Sequence, residues 1–340
     1  MILRILLCAV LVGVSAWLVR WMVRWGALDH PGARSSHDRP TPKGGGVGIV
    51  AAVVLGALIG PFCAFVVTPA LLCVVLAGAA LAGFSYLDDL RSFSPLSKLA
   101  MQVAVAIVPV VMGIVLPNAL FGFLPSSVAG VVPPLCTVIV ILLITNAVNF
   151  MDGLNGLASG AVAISALAAA LFLGANDAGF VGAGAVFLVC GIAGFLPFNF
   201  PRAKIFMGDV GSQFLGFVIA VIGVRAAQLN SVSATLVPMC LFPMLVDVVF
   251  TLLRRAIAGQ RLMQAHRGHL YQLAQRALMP AWLVTAMHWA MAGFGAWLWI
   301  VSKILQIPNS VAVFTALILI QVMWAVRVLA AAIKAPIGPW

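Results

Sequence analysis

The chain has 340 residues, of which 64% are hydrophobic and only 8% are charged, and its formal net charge is +11. A soluble domain carries about 25% charged residues, so this composition excludes a water-soluble protein and indicates that lipid is the solvent. Most basic residues lie in loops between apolar runs, which fits the positive-inside rule and argues against a nucleic-acid partner.

Eleven apolar runs are long enough to cross a bilayer, which takes about 20 residues per helix. The predicted spans are residues 2–22, 45–67, 69–87, 97–116, 132–150, 157–175, 180–198, 211–229, 234–252, 282–302 and 309–330. Ten spans are the alternative count, and only a short turn at 303–308 separates the last two runs. The prediction is an all-α, polytopic membrane protein in which residues 1–340 form a single membrane domain.

The positions of Lys and Arg predict the orientation of these spans. With the N-terminus outside, sixteen of the nineteen basic residues face the cytoplasm, and only Arg4, Arg225 and Lys303 lie outside. The opposite orientation would invert that ratio. We therefore predict an outside N-terminus and a cytoplasmic C-terminus.

All eight acidic residues are Asp, and under this topology most of them lie on the cytoplasmic side. Those in cytoplasmic loops or at helix ends facing them are Asp29, Asp38, Asp88, Asp89, Asp152 and Asp209. Asp247 lies in the ninth span toward the same side, and only Asp177 is outside. The pattern predicts one acidic cytoplasmic site formed by several loops, and the alternative is that Asp simply marks loop ends.

The first cytoplasmic loop, residues 29–46, is constrained by three Pro and by glycines that include the run at 44–46. Lys43 directly precedes that glycine run, which makes it a candidate phosphate ligand. A plain Gly/Pro linker explains the same composition equally well.

The second cytoplasmic loop carries two adjacent carboxylates, Asp88 and Asp89. Neighbouring carboxylates repel, which raises the pKa of one of them unless a cation intervenes. A divalent metal solves this problem, and oxygen-rich sites suit Mg²⁺ or Mn²⁺. Lys98, at the start of the fourth span, is positioned to reach a phosphate. A solvated turn is the alternative.

The segment 145–160 spaces Asn146, Asn149, Asp152 and Asn155 at intervals of three, which places them on one helical face. Such a polar row at the mouth of an apolar helix is costly to desolvate unless it binds something. Helix capping with a packed turn is the alternative.

Asp209 directly precedes the eighth span, where it can cap the helix and also present an oxygen to a metal. Gly208 and Gly211 leave backbone N–H groups open beside it. A cap without a metal is the alternative interpretation.

The segment 254–276 combines five Arg with two His, and Arg267 lies between His266 and His269. This set suits the binding of a diphosphate. A zinc site would lack Cys or Glu partners, and a positive-inside anchor accounts for the Arg residues but not for the His pair.

Carboxylates for a metal, basic residues for phosphates and amides for a polar ring together indicate phosphoryl transfer at the membrane surface. A transporter is the alternative from a different class. Transporters place their carboxylates near the bilayer midplane, whereas these lie at the cytoplasmic helix ends.

Five motifs, read from residue 29 to residue 272, carry a family resemblance: R-P-T-P-K-G-G, D-D, N-x-x-N-F-M-D-G, F-M-G-D-x-G-S and H-R-G-H-x-Y-Q. In this order and spacing the chain resembles the polyprenyl-phosphate N-acetylhexosamine-1-phosphate transferase superfamily (glycosyltransferase family 4). That superfamily includes phospho-MurNAc-pentapeptide transferase and the O-antigen-initiating enzymes. The resemblance implies a multi-pass protein of the bacterial inner membrane with a periplasmic N-terminus and cytoplasmic active-site loops.

The resemblance also implies catalytic and metal-binding roles. Asp88 matches the base that deprotonates the lipid phosphate, and Asp89 matches its neighbour, which is tied to metal or lysine contacts. Asp209 matches the metal-binding residue, and Asp89 is the second metal-ligand candidate. Mg²⁺ is the implied ion, and Mn²⁺ is the alternative.

The remaining matched residues are implied to bind substrate. Asn149 and Asp152 match the uridine side of the pocket, and the last cytoplasmic loop matches the part that recognises the sugar and the diphosphate. The full set of substrate-binding candidates is Lys43, Lys98, Asn149, Asp152, Asn155, Gly208, His266, Arg267 and His269. Asn155 departs from many relatives, which have Asp at that position.

The implied reaction moves a HexNAc 1-phosphate from a UDP-N-acetylhexosamine to undecaprenyl phosphate, giving undecaprenyl-diphosphate-sugar and UMP, as the first step of O-antigen or another envelope glycan. The H-R-G-H sequence is similar to the O-antigen branch, whereas phospho-MurNAc-pentapeptide transferase, the alternative, has H-H-H. Direct attack by the lipid and a phospho-enzyme route both stay open. So do the sugar, the polyprenyl length and the oligomeric state, a homodimer included.

Overall fold

The computed structural model of the chain describes residues 1–30, 39–123, 125–128, 130–230, 232–261, 266–306 and 311–337. Asp38, counted above among the cytoplasmic carboxylates, lies outside the described residues. The helices are α1 (Ile2–Trp25), α2 (Gly46–Ile59), α3 (Pro69–Arg91), α4 (Pro95–Val111), α5 (Val132–Phe150), α6 (Leu157–Phe172), α7 (Ala183–Asn199), α8 (Asp209–Leu229), α9 (Leu236–Ile257), α10 (Leu270–Ala277), α11 (Ala281–Ile304) and α12 (Val311–Lys334). Two short strands, β1 (Leu28–Asp29) and β2 (Thr41–Pro42), pair antiparallel in the first loop.

Every predicted span coincides with a helix. Within the described ranges, nine helical stretches are long and apolar enough to cross a membrane, and the shorter apolar helices α4 and α6 account for the other two predicted spans. The prediction of an all-α, polytopic membrane protein is therefore confirmed. Helix α10 was not predicted, and its eight residues are too few to cross a bilayer.

Local sequence explains where several helices begin. Helix α3 starts at Pro69, and the Thr68 hydroxyl accepts a hydrogen bond from the Leu71 N–H at 3.2 Å. Helix α4 repeats the arrangement with Pro95 and Ser94. Proline is favoured at the first helical position because an N–H at that position would have no partner within the helix, so its absence costs nothing. The Ser or Thr side chain before the proline accepts a hydrogen bond from one of the next free N–H groups.

Helix α8 forms the centre of the bundle, with 17 of its 21 residues buried, whereas α1 buries only five of 24. Glycines allow close approach to α8. A Cβ on Gly46 would lie 2.2 Å from the Gly211 Cα, and a Cβ on Gly216 would lie 2.7 Å from the Thr145 Cα. These contacts bring the first loop and the end of α5 against the start of α8, where Asp209 lies.

Alternating helices bring polar residues to two ends of the bundle. At the polar face, defined by the end of α3, the end of α5 and the start of α8, lie Asp89, Asp152 and Asp209. At the opposite face, Arg225 of α8 pairs with Asp177 at 2.6 Å. The polar face is the side predicted above to be cytoplasmic.

Candidate active site

A cavity of about 800 Å³ opens at the polar face. Its walls come from the first loop, the ends of α3 and α5, the segment between α7 and α8, α10 and the start of α11. Seven predicted site residues line it: Lys43, Asp89, Asn149, Asp152, Asn155, Gly208 and Asp209. Five predicted site residues do not: Asp88, Lys98, His266, Arg267 and His269.

The first loop is attached to the cavity wall through its backbone. After the β1–β2 pair, the Phe206 N–H donates to the Pro42 carbonyl at 2.8 Å, and the Gly45 N–H donates back to the Phe206 carbonyl at 2.9 Å. Gly44 between them has a φ of +102°, which favours glycine. The glycine run therefore serves to place Lys43 beside the segment that leads into α8.

Lys43 and Asp89 form an ion pair, with the Lys43 Nζ 3.0 Å from the Asp89 Oδ1. The second carboxylate oxygen of Asp89, Oδ2, is buried and has no hydrogen-bond partner in the described part of the chain. A buried oxygen without a donor is costly, so Asp89 has one coordination position left for a cation or a donor on a substrate.

Asp209 is held by Asn149. The Asn149 amide donates to the Asp209 Oδ1 at 3.0 Å and to the Ser212 hydroxyl at 2.8 Å. Both amide protons of Asn149 are therefore engaged within the protein. The uridine contact implied for Asn149 stays a prediction, and the contacts themselves orient the carboxylate of Asp209.

Asp152 lies in the turn between α5 and α6, on the same cavity. Burial raises the pKa of Asp152 well above its usual range, and the neighbouring carboxylates of Asp209 and Asp89 raise it further. Three carboxylates from separate segments thus act on one another electrostatically across one cavity.

These oxygens suit Mg²⁺ or Mn²⁺ in type. Among the described residues, no three His, Cys, Asp or Glu side chains come together as a ready-made metal site. Mg²⁺ is commonly held by one or two carboxylates together with waters and substrate phosphates, so a complete protein cage is not expected. The unpartnered oxygen of Asp89 and the repulsion at Asp152 are features that a cation would relieve, and in this sense the residues fit the ion.

Asp88 points away from the cavity although it is adjacent to Asp89. Its Oδ2 is 2.5 Å from the Lys98 Nζ, and its Oδ1 accepts the Phe93 N–H at 2.7 Å. Successive residues on a helix do not share a face, which explains why only one of the pair reaches the cavity. The base implied at Asp88 stays a prediction, and in this conformation the ion pair with Lys98 covers it.

The predicted diphosphate-binding set of the last loop lies beside the cavity and not on its wall. The His269 ring nitrogen Nδ1 is 3.1 Å from the Asp247 Oδ1, and His266 stacks on His269 with ring centroids 4.9 Å apart. Burial lowers the pKa of His266 to about 4, and the charges of His269, Arg255 and Arg254 contribute. His266 is therefore neutral at neutral pH, while Arg267 is half-buried.

Several cavity residues were not predicted as site residues: Asp29, Arg39, Thr41, Asn199, Arg202 and Gln272. Asp29 had been counted among the cytoplasmic carboxylates, and Arg39 belongs to the first-loop motif, so both carried a usable signal. Arg202 had served only to orient the spans. Gln272 is the last residue of the H-R-G-H-x-Y-Q motif, so it also carried a signal, although the helix α10 on which it lies was not predicted.

Comparison with known proteins identifies relatives that match up to about three quarters of this chain. The sequence model of glycosyl transferase family 4 matches residues 71–227. The chain is 34% identical over 277 residues to decaprenyl-phosphate N-acetylglucosaminephosphotransferase of Mycobacterium tuberculosis, covering 72% of this chain and 68% of that protein. It is 30% identical over 251 residues to the probable undecaprenyl-phosphate N-acetylglucosaminyl 1-phosphate transferase of Bacillus subtilis, covering 72% and 69%.

A more partial match is to a phospho-N-acetylmuramoyl-pentapeptide-transferase. It is 30% identical over 204 residues to phospho-N-acetylmuramoyl-pentapeptide-transferase of Staphylococcus haemolyticus, covering 55% of this chain and 63% of that protein. Together with the apolar helices, these bacterial relatives place the chain among multi-pass bacterial membrane proteins.

Proposed function

The chain belongs to glycosyl transferase family 4, the polyprenyl-phosphate N-acetylhexosamine-1-phosphate transferase superfamily, and on this basis we propose that it transfers a sugar 1-phosphate to a polyprenyl phosphate. In the full proposal the donor is a UDP-N-acetylhexosamine and the acceptor is undecaprenyl phosphate. The products are undecaprenyl-diphosphate-sugar and UMP, and the step begins O-antigen or another cell-envelope glycan.

One observation carries the proposal. Asp89, Asp152 and Asp209 come from three separate segments and line one cavity of about 800 Å³, whose wall also holds Arg39 and Arg202. Carboxylates beside guanidinium groups suit a donor whose phosphates are bound partly through a cation and partly by direct hydrogen bonds.

In the proposed mechanism the protein mainly positions and neutralises charge. An oxygen of the lipid phosphate attacks the phosphorus that bears the sugar, and the bond from this phosphorus to the bridging oxygen breaks, so that UMP leaves with the electron pair. A Mg²⁺ ion held by Asp209 and Asp89 would supply positive charge beside the diphosphate. Arg39 and Arg202 lie where they can pair with phosphate oxygens.

The proton on the lipid phosphate passes to a carboxylate. The family resemblance assigns it to Asp88, which would first have to exchange its ion pair with Lys98. Asp89 already reaches the cavity, with Lys43 on one oxygen. The substitutions Asp88→Asn and Asp89→Asn separate the two assignments. The pH dependence of turnover contains the ionisation of the catalytic base, so it should change shape only in the variant that lacks this base.

The test is UMP release by the purified protein in detergent with undecaprenyl phosphate, Mg²⁺ and a panel of UDP-sugars. We expect release with at least one UDP-N-acetylhexosamine, only when the lipid is present. A transporter would release none with any donor, and that outcome would overturn the proposal. UMP release from the donor without lipid, with a trapped phosphorylated Asp, would replace direct attack by the phospho-enzyme route.

The donor panel also includes UDP-MurNAc-pentapeptide, because one relative belongs to that branch. The N-acetylglucosamine relatives match a larger share of this chain, 72% against 55%, so we expect the UDP-HexNAc donors to be preferred. Preference for the pentapeptide donor would move the chain to the peptidoglycan branch within the same family.

A further inference from the structure

Asp247 is a fully buried carboxylate inside helix α9. Its Oδ1 lies 2.9 Å from the Leu270 backbone nitrogen and 3.1 Å from the His269 Nδ1, and its Oδ2 accepts the Tyr271 N–H at 2.9 Å. The Thr251 hydroxyl also donates to it at 3.2 Å. A charged group within a membrane helix is expensive unless donors surround it, and here donors from the last loop do so.

These contacts fix the beginning of α10 to α9. The first N–H groups of a helix have no partner within the helix, and a carboxylate there also interacts favourably with the helix dipole. Asp247 therefore caps α10 from another helix. The short helix has only eight residues and would be marginal alone. Its own capping box, formed by His269 and Gln272, and the Asp247 carboxylate together hold its beginning.

Helix α10 in turn supports the turn that carries Asp152. The Tyr271 side chain is buried, and its hydroxyl donates to the Phe150 carbonyl at 3.0 Å. A Cβ on Gly153 would lie 2.1 Å from the Tyr271 hydroxyl, so the turn packs directly on this ring. The next residue of α10, Gln272, lines the cavity.

Helix α11 holds the same turn from its other end. The Thr285 hydroxyl donates to the Asn155 carbonyl, and the Trp289 indole donates to the Gly156 carbonyl, both at 3.0 Å. The turn is thereby fixed by side chains that follow it by more than a hundred residues. Since carbonyls of the turn are engaged in this way, its position depends on the placement of α10 and α11.

We infer that Asp247 and Tyr271 are positioning residues, through which the last loop holds Asp152 and Gln272 at the cavity. The inference rests on the proposed function for its kinetic consequence, but not for its structural one. Neither residue lines the cavity itself. The chain of contacts runs from the Asp247 carboxylate to the Tyr271 backbone N–H, and then from the Tyr271 hydroxyl to the carbonyl of Phe150, two residues before Asp152.

The sharpest test is Tyr271→Phe, which removes one hydroxyl and keeps the ring. The matched control is Tyr86→Phe, because these are the two tyrosines of the chain and Tyr86 lies on α3, with its ring beside Gly44 of the first loop. We expect amide hydrogen exchange in residues 150–156 to rise about fivefold in Tyr271→Phe and to stay unchanged in the control.

The kinetic arm separates positioning from loss of folded protein. In Tyr271→Phe we expect the KM for the UDP-sugar to rise about fivefold while kcat changes less than twofold. A lower fraction of folded enzyme would instead reduce kcat and leave KM as it was. Asp247→Asn should raise exchange in both 150–156 and 266–277, and Asp177→Asn at the opposite face is its control.

The inference is wrong if Tyr271→Phe and the Tyr86→Phe control show the same amide exchange in residues 150–156 and the same KM for the UDP-sugar. This outcome decides the question even if Asp247→Asn fails to fold. If the wild-type protein releases no UMP from any donor, the proposed function fails by itself. The exchange measurement then still decides whether Tyr271 holds the turn.

Discussion

The two ends of the bundle use the same residue type in opposite ways. At the opposite face, Asp177 accepts the Phe180 N–H at 3.1 Å and pairs with Arg225 at 2.6 Å, so its charge is matched within the protein. At the polar face, Asp89, Asp152 and Asp209 share a cavity, and of these three only Asp89 forms an ion pair among the described residues, with Lys43.

From this difference we infer that the contacts of a carboxylate indicate its role, whereas its position in a loop of the sequence does not. A matched carboxylate contributes to stability, whereas three carboxylates that share one lysine need a further cation or a ligand and are candidates for function. The comparison predicts that substitutions at the polar face change activity and that substitutions at the opposite face change stability.

The largest expected effect is that of Asp209→Asn against Asp177→Asn. If Asp209 holds the cation beside the diphosphate, its substitution should lower kcat/KM for UMP release about 10³-fold, because several kcal/mol of charge stabilisation would be lost. Asp177→Asn should leave kcat/KM within about twofold of wild type. Similar losses of kcat/KM in both variants would show that the two faces do not differ in their importance for activity.

A smaller loss is expected for Asn149→Ala, which removes both hydrogen bonds that orient Asp209 and Ser212. Partners of metal ligands typically contribute about 10- to 100-fold to metal affinity or activity, and we expect a loss in that range. The control is Asn230→Ala at the opposite face, where Asn230 accepts the Ser233 N–H at 2.8 Å. The Mg²⁺ concentration for half-maximal turnover should rise only in Asn149→Ala.

For stability, we expect the loss at the opposite face and not at the polar face. Arg225→Gln leaves Asp177 without its cation, and the partial exposure of Arg225 limits the expected loss to about 1 kcal/mol in the free energy of unfolding. Thermal unfolding in detergent measures it as a lower Tm, with kcat/KM unchanged at permissive temperature. An unchanged Tm would mean that the pair contributes nothing at that face.

The smallest effect, and the one opposite in sign, is expected for Asp152→Asn in metal-free protein. Burial and two neighbouring carboxylates disfavour the charge of Asp152, so removing it should raise the free energy of unfolding by about 0.5–1 kcal/mol. The same scan that detects a lower Tm in Arg225→Gln should detect a slightly higher one here. A lower Tm in Asp152→Asn would show that the carboxylate is stabilised by its surroundings.

Much of this architecture could be predicted from the sequence. Apolar runs of sufficient length coincide with the helices, and their alternation places Asp89, Asp152 and Asp209 at one face. These features depend on composition and on the direction of successive helices, both of which are local properties of the chain.

The rest depends on packing between distant segments. Asp88 and Asp89 look equivalent in the sequence, but the helix directs one to Lys98 and the other to the cavity. The His pair of the last loop looks like a ligand-binding motif, yet His269 contacts Asp247, 22 residues earlier in the chain. The sequence therefore indicated which polar residues stand out from the apolar chain, but the residues that each of them contacts are known only from the structure.

Whether the carboxylates of the polar face share one cation can be measured by Mn²⁺ binding, followed by electron paramagnetic resonance with the UDP-sugar present. We expect one bound Mn²⁺ per wild-type chain, unchanged binding in Asp177→Asn, and at least tenfold weaker binding in Asp209→Asn and Asp89→Asn. If Asp209→Asn binds Mn²⁺ as tightly as wild type does, the carboxylates of the polar face do not share a cation, and the proposed metal site is wrong.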